Sequence, residues 1–289
     1  MLARSLSASP FVRGRLRAAE AACRLGRPAP LAALGVAFRA EASWLVRRLY
    51  AAMLGEARVA AAAGLLAELL ACETDPRVMQ PLCAAAGRHR DPRVAQALLA
   101  WLADVDRPWA ATQAALASLG AQRGDAWLTP LSQALERESW WDRSRQGALA
   151  GLGATRSPGA VALILPWTTA ATASLPVRVA AVGALAEAAR WAERGPRQHV
   201  AEQLVDLLRD PSTKLRLAAA RALGALGEPA AAAAIRAAIP TVSLQDGPTL
   251  LRIAAGLEQT QVVDQRVETL SDELRKLRER VDALEAQKS

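Results

Sequence analysis

The sequence predicts an all-α protein, an α–α superhelix of about eight stacked helical hairpins that ends in a heptad helix. Three observations predict this fold class: apolar residues recur at helical spacing, one pattern returns every 30 to 38 residues, and Val, Ile and Thr form no alternating strand-like runs. The clearest hairpin covers 211–239, where Gly227 suits a left-handed C-cap, Pro229 opens a second helix and Pro240 ends it. A hairpin this short cannot bury its own apolar face, so it needs similar hairpins on both sides.

A recurring residue in the first helix of each unit sets the register of the repeat. It is usually an arginine, followed seven residues later by an apolar or small residue. The anchors are Arg15, Arg47, Arg77, Thr112, Arg145, Arg178, Arg216 and Leu250. A period in the thirties with two helices per unit is typical of an α-solenoid. We expect these guanidinium groups to bond turn carbonyls or the carboxylate of the preceding unit.

The first units begin and turn at recognisable capping residues. The first unit turns at Gly26, and the second opens at Ser43, an N-cap candidate. The third unit has two Asp-Pro pairs, at 75–76 and 91–92. In each pair the acid can cap the helix and the proline can occupy its first position.

The later units contain the sharpest repeat motif. The fifth unit carries Ser139 to Leu149, with Trp140 and Trp141 adjacent, so on a helix one indole should wedge between repeats and the other should be partly exposed. The sixth begins at 176–178, and the eighth, 246–258, is short, as expected of a terminal cap. The residues assigned to the structural repeat motif are Trp140, Asp142, Arg145, Arg178 and Arg216.

Beyond residue 261 the pattern becomes a heptad seam. Its members are Val263, Val267, Leu270, Leu274, Leu277, Val281 and Leu284. This spacing predicts a coiled-coil-like helix at 261–289, separate from a repeat domain at 1–260. A homodimer through this helix, a frayed tail, and a helix docked on its own solenoid or on a partner all stay open.

Basic residues concentrate at one end of the chain. The formal charge is +8, and residues 1–60 hold ten arginines against Glu20, Glu41 and Glu56. Arg13, Arg17, Arg47 and Arg48 are therefore candidates for contacting phosphates. Nucleic-acid binding is nevertheless the weaker alternative, because Trp44 is the only tryptophan near this end.

The sequence favours a cytoplasmic protein. No stretch of about 20 apolar residues is present to span a membrane, and the N-terminal segment lacks the apolar core of a secretory signal. Cys23, Cys72 and Cys83 have no metal-binding spacing, so reduced and largely buried thiols are expected.

No pattern of catalytic or metal-ligating residues is evident. His89 and His199 lie far apart, and a solvated histidine in a turn is the expected role of His89. Asp142 lies beside arginines, and Asp91, Asp210 and Asp246 lie at turns, where acids usually cap helices or interact with the helix dipole. We therefore predict no enzyme activity, no cofactor and no bound metal.

The repeats resemble HEAT repeats over about residues 9–260. The order of features is similar to the C-terminal HEAT module of bacterial aminopeptidase N-type zinc peptidases. The matching stretches are 139–149, 163–167, 176–181, 215–227, 246–247 and the heptad tail. The zinc motif H-E-x-x-H of those enzymes is absent from this chain, so the resemblance implies an accessory module that acts with a catalytic domain encoded elsewhere.

The sequence thus favours a non-catalytic scaffold that presents its inner surface to a protein or peptide. The accessory peptidase module is the first alternative, and nucleic-acid binding through the basic end is the second. A HEAT-type hydroxylase would need repeated His-Glu ligand pairs, and no His-Glu dipeptide occurs. Nothing in the sequence singles out a bilin-lyase site.

Overall fold

The computed structural model describes residues 4–6, 9–104, 106–169, 171 and 173–286, with only the backbone at 261, 264, 268 and 280–286. These residues form helices and turns, and none of them lies in a strand. The predicted all-α fold of stacked, HEAT-like hairpins is confirmed. The helices are α1 (Val12–Leu25), α2 (Pro28–Ala40), α3 (Trp44–Glu56), α4 (Ala60–Cys72), α5 (Pro76–Ala86), α6 (Pro92–Leu102), α7 (Trp109–Gly120), α8 (Leu128–Leu135), α9 (Arg143–Ala154), α10 (Ala160–Ile164), α11 (Leu175–Ala189), α12 (Arg194–Leu207), α13 (Thr213–Leu226), α14 (Ala232–Ala238) and α15 (Gly247–Ala286).

The chain divides into two compact units, residues 1–196 and 197–289. In the N-terminal unit the odd-numbered helices α1 to α11 each pack on the next odd-numbered helix, and α2, α4 and α6 pack on one another in the same way. We call the odd-numbered helices A helices and the even-numbered ones B helices. Each hairpin therefore adds one A helix to a growing layer.

Two sets of turns follow from this arrangement. The A–B turns join the two helices of one hairpin and cover 26–27, 57–59, 87–91, 121–127 and 155–159, with the end of α11 at 190 in the equivalent place. The B–A turns join consecutive hairpins and cover 41–43, 73–75, 103–108, 136–142 and 169–174. The capping acids Asp75 and Asp91 lie in these turns, and the prolines that follow them begin α5 and α6, as predicted. The two carboxylates accept hydrogen bonds from the backbone N–H groups of Arg77 and Arg93.

Glycines allow α7 and α9 to pack with their backbones in contact. A Cβ atom at Gly147 would lie 2.6 Å from the carbonyl oxygen of Gln113, and one at Gly151 would lie 2.5 Å from that of Leu116. A Cβ at Gly120 would overlap the carbonyl of Gly151. The contacts of Gly120 and Gly151 lie toward the A–B ends of both helices, so they bring the two following turns close together.

The C-terminal unit contains the hairpin predicted at 211–239. The helix α13 ends at Gly227, which has φ 74° and is the predicted left-handed cap, and α14 follows a turn that begins at Pro229. The last helix, α15, packs against both α13 and α14, and Arg236 pairs with Glu258 at 2.6 Å. Residues 246–258 do not form a separate terminal hairpin, since the sequence has no proline after Pro248 to interrupt the helix. The division into domains at 260/261 stays a prediction.

Candidate functional site

The repeat arginines predicted from the register engage the B–A turns. Arg15 Nε lies 2.8 Å from Glu41 Oε2, and Arg47 Nε lies 2.9 Å from Glu73 Oε2. The side chains of Arg47 and Glu73 are only 16% and 5% exposed. Arg47 Nη1 also donates to the carbonyl of Glu41 at 2.8 Å, so one guanidinium links two successive B–A turns.

The later repeat arginines donate to turn carbonyls. Arg145 Nε donates to Leu135 at 2.9 Å, and the buried Arg178 donates through Nε to Thr168 at 2.9 Å. In the C-terminal unit Arg216 Nη1 donates to the carbonyl of Asp210 at 2.7 Å. These arginines replace water at the carbonyls that a helix end leaves without an intrahelical partner. Their guanidinium groups therefore hold the B–A turns together.

Arg77 does not take the position that the register assigns to it. The helix α5 begins at Pro76, so Arg77 is its second residue and pairs with its own capping residue, Asp75, at 2.8 Å. Its guanidinium also lies 4.6 Å from the centre of the Trp44 ring. The equivalent of Arg47 on α5, the fourth residue of the helix, is Met79.

The tryptophan pair departs from the expected helical arrangement. Trp140 and Trp141 are 61% and 70% exposed, so the prediction that one of them wedges between repeats is wrong. They lie in a short 3₁₀ turn before α9, where Trp141 and Asp142 have φ 55° and 53°. Trp140 stacks on Trp109 with a ring separation of 6.0 Å. Asp142 supports the turn through Arg145 at 2.8 Å and Ser174 at 2.6 Å.

The predicted basic end is only partly available for binding. Arg13, Arg17 and Arg48 are exposed, whereas Arg47 is held by Glu73. The three exposed residues are spread over α1 and α3 rather than concentrated in one pocket. Their proposed contact with phosphates stays a prediction.

A second series of arginines lies on the A–B turns. One arginine follows every A helix of the N-terminal unit, at intervals of 31 to 34 residues: Arg27, Arg58, Arg90, Arg123, Arg156 and Arg190. We call this series the arginine row. The sequence already contained this signal, but the register was anchored on arginines at the start of each A helix. The row was therefore missed.

The central part of the row lines an open groove of about 720 Å³. The groove takes residues from four hairpins and from α11, and its walls carry Arg58, Arg88, Arg90, Arg123, Arg156 and one acid, Glu187. Its floor consists of small residues, among them Ala150, Ala154, Val179 and Ala180. Long cationic side chains thus surround a shallow apolar floor.

The charges in the groove are unevenly matched. Arg88 pairs with Glu56, and Glu187 pairs with Arg190 at 3.3 Å. Among the described residues no carboxylate pairs with Arg90, Arg123 or Arg156, although Arg156 lies 4.0 Å above the ring of Trp191. Desolvation, together with the positive charges of Arg156 and Arg90, lowers the pKa of Arg123 below its ordinary value.

The backbone of the row is unusual at two places. Arg123 and Arg156 have φ 66° and 58°, in the left-handed region where glycine is favoured and where other residues cost about 1–2 kcal/mol. The two turns are joined directly, because the N–H of Gly124 donates to the carbonyl of Thr155 at 2.9 Å. The backbone from which the two arginine side chains extend is therefore fixed by this hydrogen bond.

The heptad seam is exposed on α15. Val263, Val267, Leu270, Leu274 and Leu277 are each about half exposed. The side chains of Val281 and Leu284 lie outside the described residues. This apolar stripe has no partner among the described residues of the single chain.

Histidine and cysteine residues do not form a site. Within the described part of the chain no three His, Cys, Asp or Glu residues are placed to hold a metal ion. His89 is buried, and its Nε2 lies 2.9 Å from the carbonyl of Leu54, so the prediction of a solvated histidine is wrong. The ring satisfies a carbonyl at the end of α3. Burial raises the pKa of Cys23 to about 11 and that of Cys83 to about 12, while Cys72 is exposed.

None of the helices in the described part of the chain is both long enough and apolar enough to cross a membrane.

Comparison with known proteins supports the fold and leaves the function open. No family model matches the chain, and no curated protein matches it. Lipovitellin, in a structure of its lipid–protein interactions, is 14% identical, with a TM-score of 0.52. The match covers 88% of this chain and 33% of the lipovitellin chain. Human deoxyhypusine hydroxylase in complex with glycerol is 20% identical, with a TM-score of 0.38, and the match covers 89% of this chain and 94% of the hydroxylase. A chain of the complex of CpcE and CpcF of phycocyanin lyase from Nostoc is 22% identical, with a TM-score of 0.42, and the match covers 89% of this chain and 93% of that chain.

Proposed function

We propose that this chain is a non-catalytic, HEAT-like scaffold that binds a protein partner along the groove of its A–B turns. The observation that supports this proposal most strongly is the groove itself, since it takes residues from four hairpins and α11 and so exists only when the repeats are stacked. Stacked repeats give long surfaces of this kind, which are suited to extended partners. The small floor residues leave room for the side chains of a bound segment.

The proposal includes two further features. The chain acts in a reducing compartment, the cytoplasm, because Cys23, Cys72 and Cys83 are all free thiols. It needs no cofactor or metal to bind its partner. The peptidase-module alternative stays a hypothesis from sequence resemblance, and a reading frame encoding H-E-x-x-H directly upstream of Met1 would favour it.

Site-specific photo-crosslinking in cells tests the scaffold proposal. A photoreactive amino acid is placed at Ala150 or Val179 on the groove floor, and at Gln96 on the exposed face of α6 as the matched control. We expect discrete protein adducts at both floor positions and none at Gln96. Absence of adducts at the floor, or the same adducts at all three positions, would contradict the proposal.

We also propose that the seam of α15 pairs with the same helix of a second copy. The half-exposed apolar stripe on a helix of 40 residues supports this reading, since water is a poor environment for such a stripe. Leu274→Asp/Leu277→Asp should halve the solution mass, and Lys276→Asp, which lies off the seam, should leave it unchanged. An unchanged mass in the double variant would exclude the seam as an oligomer interface.

A further inference from the structure

We propose that the groove binds an acidic, extended peptide segment, and that Arg90, Arg123 and Arg156 are the residues that hold its carboxylates. This inference rests on the proposed scaffold function and names the chemistry of the partner. The three arginines occupy equivalent A–B turns of three successive hairpins. Each of the three hairpins therefore contributes one row arginine to the same groove.

The guanidinium groups of the three residues are available to a ligand. Arg90 is exposed, Arg123 and Arg156 are half-buried, and none of the three forms an ion pair within the described residues. The repeat arginines of the B–A turns differ in this respect, because Arg15 and Arg47 already contact Glu41 and Glu73. Arg90, Arg123 and Arg156 thus retain the bidentate donors that carboxylates prefer.

Mutual repulsion within the row favours an anionic ligand. Desolvation lowers the pKa of Arg123, and the positive charges of Arg156 and Arg90 lower it further, so the three guanidinium groups lie close enough to repel one another. Glu187, the one acid among the described residues that line the groove, is already paired with Arg190. An acidic segment placed between the arginines would relieve the repulsion, and association would be fast at low ionic strength and slower as salt screens the charges.

The left-handed backbone at Arg123 and Arg156 is consistent with a binding role. Residues kept in unfavourable backbone regions cluster at functional sites, where the surrounding structure fixes them. Both turns are held, because Trp127 Nε1 donates to the carbonyl of Arg123 at 2.9 Å and Gly124 bonds Thr155. The backbone that carries Arg123 and Arg156 is therefore fixed before any ligand arrives, which reduces the entropy lost on binding.

The lining of the groove favours a peptide over a nucleic acid. Single-stranded nucleic acids are held mainly by aromatic side chains that stack on the bases. The described residues that line this groove include no aromatic ring, and the nearby Trp191 ring already has the Arg156 guanidinium 4.0 Å from its centre. Ala150, Ala154 and Val179 instead form an apolar floor on which the aliphatic parts of a peptide can pack.

A binding titration on the full-length chain tests this inference. The probes are a labelled peptide of alternating Glu and Ala, the matched Gln and Ala peptide, and a labelled single-stranded DNA of mixed sequence. The variant Arg90→Gln/Arg123→Gln/Arg156→Gln, called the row variant, neutralises the three row arginines of the proposed site. The matched control Arg13→Gln/Arg17→Gln/Arg48→Gln removes the same charge from the basic end, and circular dichroism checks the folding of both.

We expect the Glu peptide to bind and the row variant to lose about tenfold in affinity, whereas the control should lose less than about twofold. Equal binding of the Gln peptide, equal loss in the control, or no binding of the Glu peptide would overturn the inference. Tighter and row-dependent binding of the DNA would overturn it in favour of a nucleic-acid site.

A second variant keeps the test decisive if the triple variant does not fold. Ala150→Glu adds a carboxylate to an exposed position on the groove floor and leaves every arginine in place. It should weaken the Glu peptide about tenfold by repulsion, and unchanged affinity would overturn the inference. If crosslinks form at the floor while the Glu peptide fails to bind, the scaffold proposal stands and only the acidic partner is excluded.

Discussion

The two sets of turns in the N-terminal unit use the same residue in opposite ways. At the B–A turns Arg15, Arg47 and Arg178 are partly or fully buried and are bonded to carboxylates or turn carbonyls. At the A–B turns Arg90 and Arg123 face the groove, and neither forms an ion pair with the described residues. Both series repeat at about the length of one hairpin, so periodicity alone cannot separate a structural arginine from one available for binding. The contacts of the guanidinium group make that distinction.

The largest effect should come from the buried arginine of the B–A turns. Arg178→Ala leaves the carbonyl of Thr168 without its donor, and we expect it to lower the free energy of unfolding by about 1.5–3 kcal/mol. The matched change Arg90→Ala on an A–B turn should alter stability by less than about 0.5 kcal/mol. Urea denaturation of both variants measures the difference. Equal losses would show that the two sets of turns do not differ as described.

Close backbone packing between α7 and α9 should have the next largest effect. Gly151→Ala places a Cβ atom 2.5 Å from the carbonyl of Leu116, and the resulting overpacking should cost about 1–3 kcal/mol. Gly183→Ala is the matched control, since no atom lies within 4 Å of its Cβ, and it should raise stability by up to about 1 kcal/mol. Thermal denaturation of both variants checks the predicted loss of stability in Gly151→Ala and the predicted gain in Gly183→Ala. A stable Gly151→Ala protein would mean that this contact does not set the spacing of Arg123 and Arg156.

A pair of double-mutant cycles sharpens the comparison at the level of single ion pairs. The largely buried pair Arg47–Glu73 should show a coupling energy of about 1–2 kcal/mol. The exposed pair Arg88–Glu56 at the A–B turns should show less than about 0.5 kcal/mol, because solvent screens it. Chemical denaturation of the single and double alanine variants provides both values. A stronger coupling in the exposed pair would reverse the assignment of structural roles.

The smallest effect concerns the pH dependence of a B–A turn. The hydrogen bond from Arg77 lowers the pKa of Asp75 from 3.8 to about 2. Because the pKa is lower in the folded protein, the charged carboxylate stabilises the fold above pH 3.8, and this contribution is lost as the pH falls toward 2. Asp75→Asn keeps a capping side chain, so it should be less stable than the wild type near neutral pH, and the difference should disappear as the pH falls below 2. A difference that does not change with pH would contradict this account.

The sequence predicts the fold in considerable detail because each repeat is defined by short sequence motifs that act on the neighbouring backbone. The caps at Asp75, Asp91 and Gly227 and the first-turn prolines follow from backbone chemistry that acts within a few residues. Register was harder to predict. Arg77 matches the repeat pattern, but the capping pair Asp75-Pro76 starts α5 there and moves the equivalent position to Met79.

The candidate site was less accessible to sequence reasoning. Trp140 and Trp141 were assigned to a helix, and two consecutive left-handed residues, Trp141 and Asp142, instead place both indoles in solvent. His89 looked solvated in its polar sequence context, yet it is buried against a carbonyl of the preceding hairpin. The arginine row could have been found from its spacing. That Arg90, Arg123 and Arg156 share one groove required the stacked structure.

The arginine side-chain signals of the labelled full-length protein, observed by NMR during titration with the Glu peptide, test the central claim most directly. The account predicts that the Nε–H signals of Arg90, Arg123 and Arg156 shift with the peptide, while those of Arg15, Arg47 and Arg178 are protected from solvent exchange and do not move. Shifts confined to the B–A arginines, or rapid exchange of both sets with no response to the peptide, would contradict it.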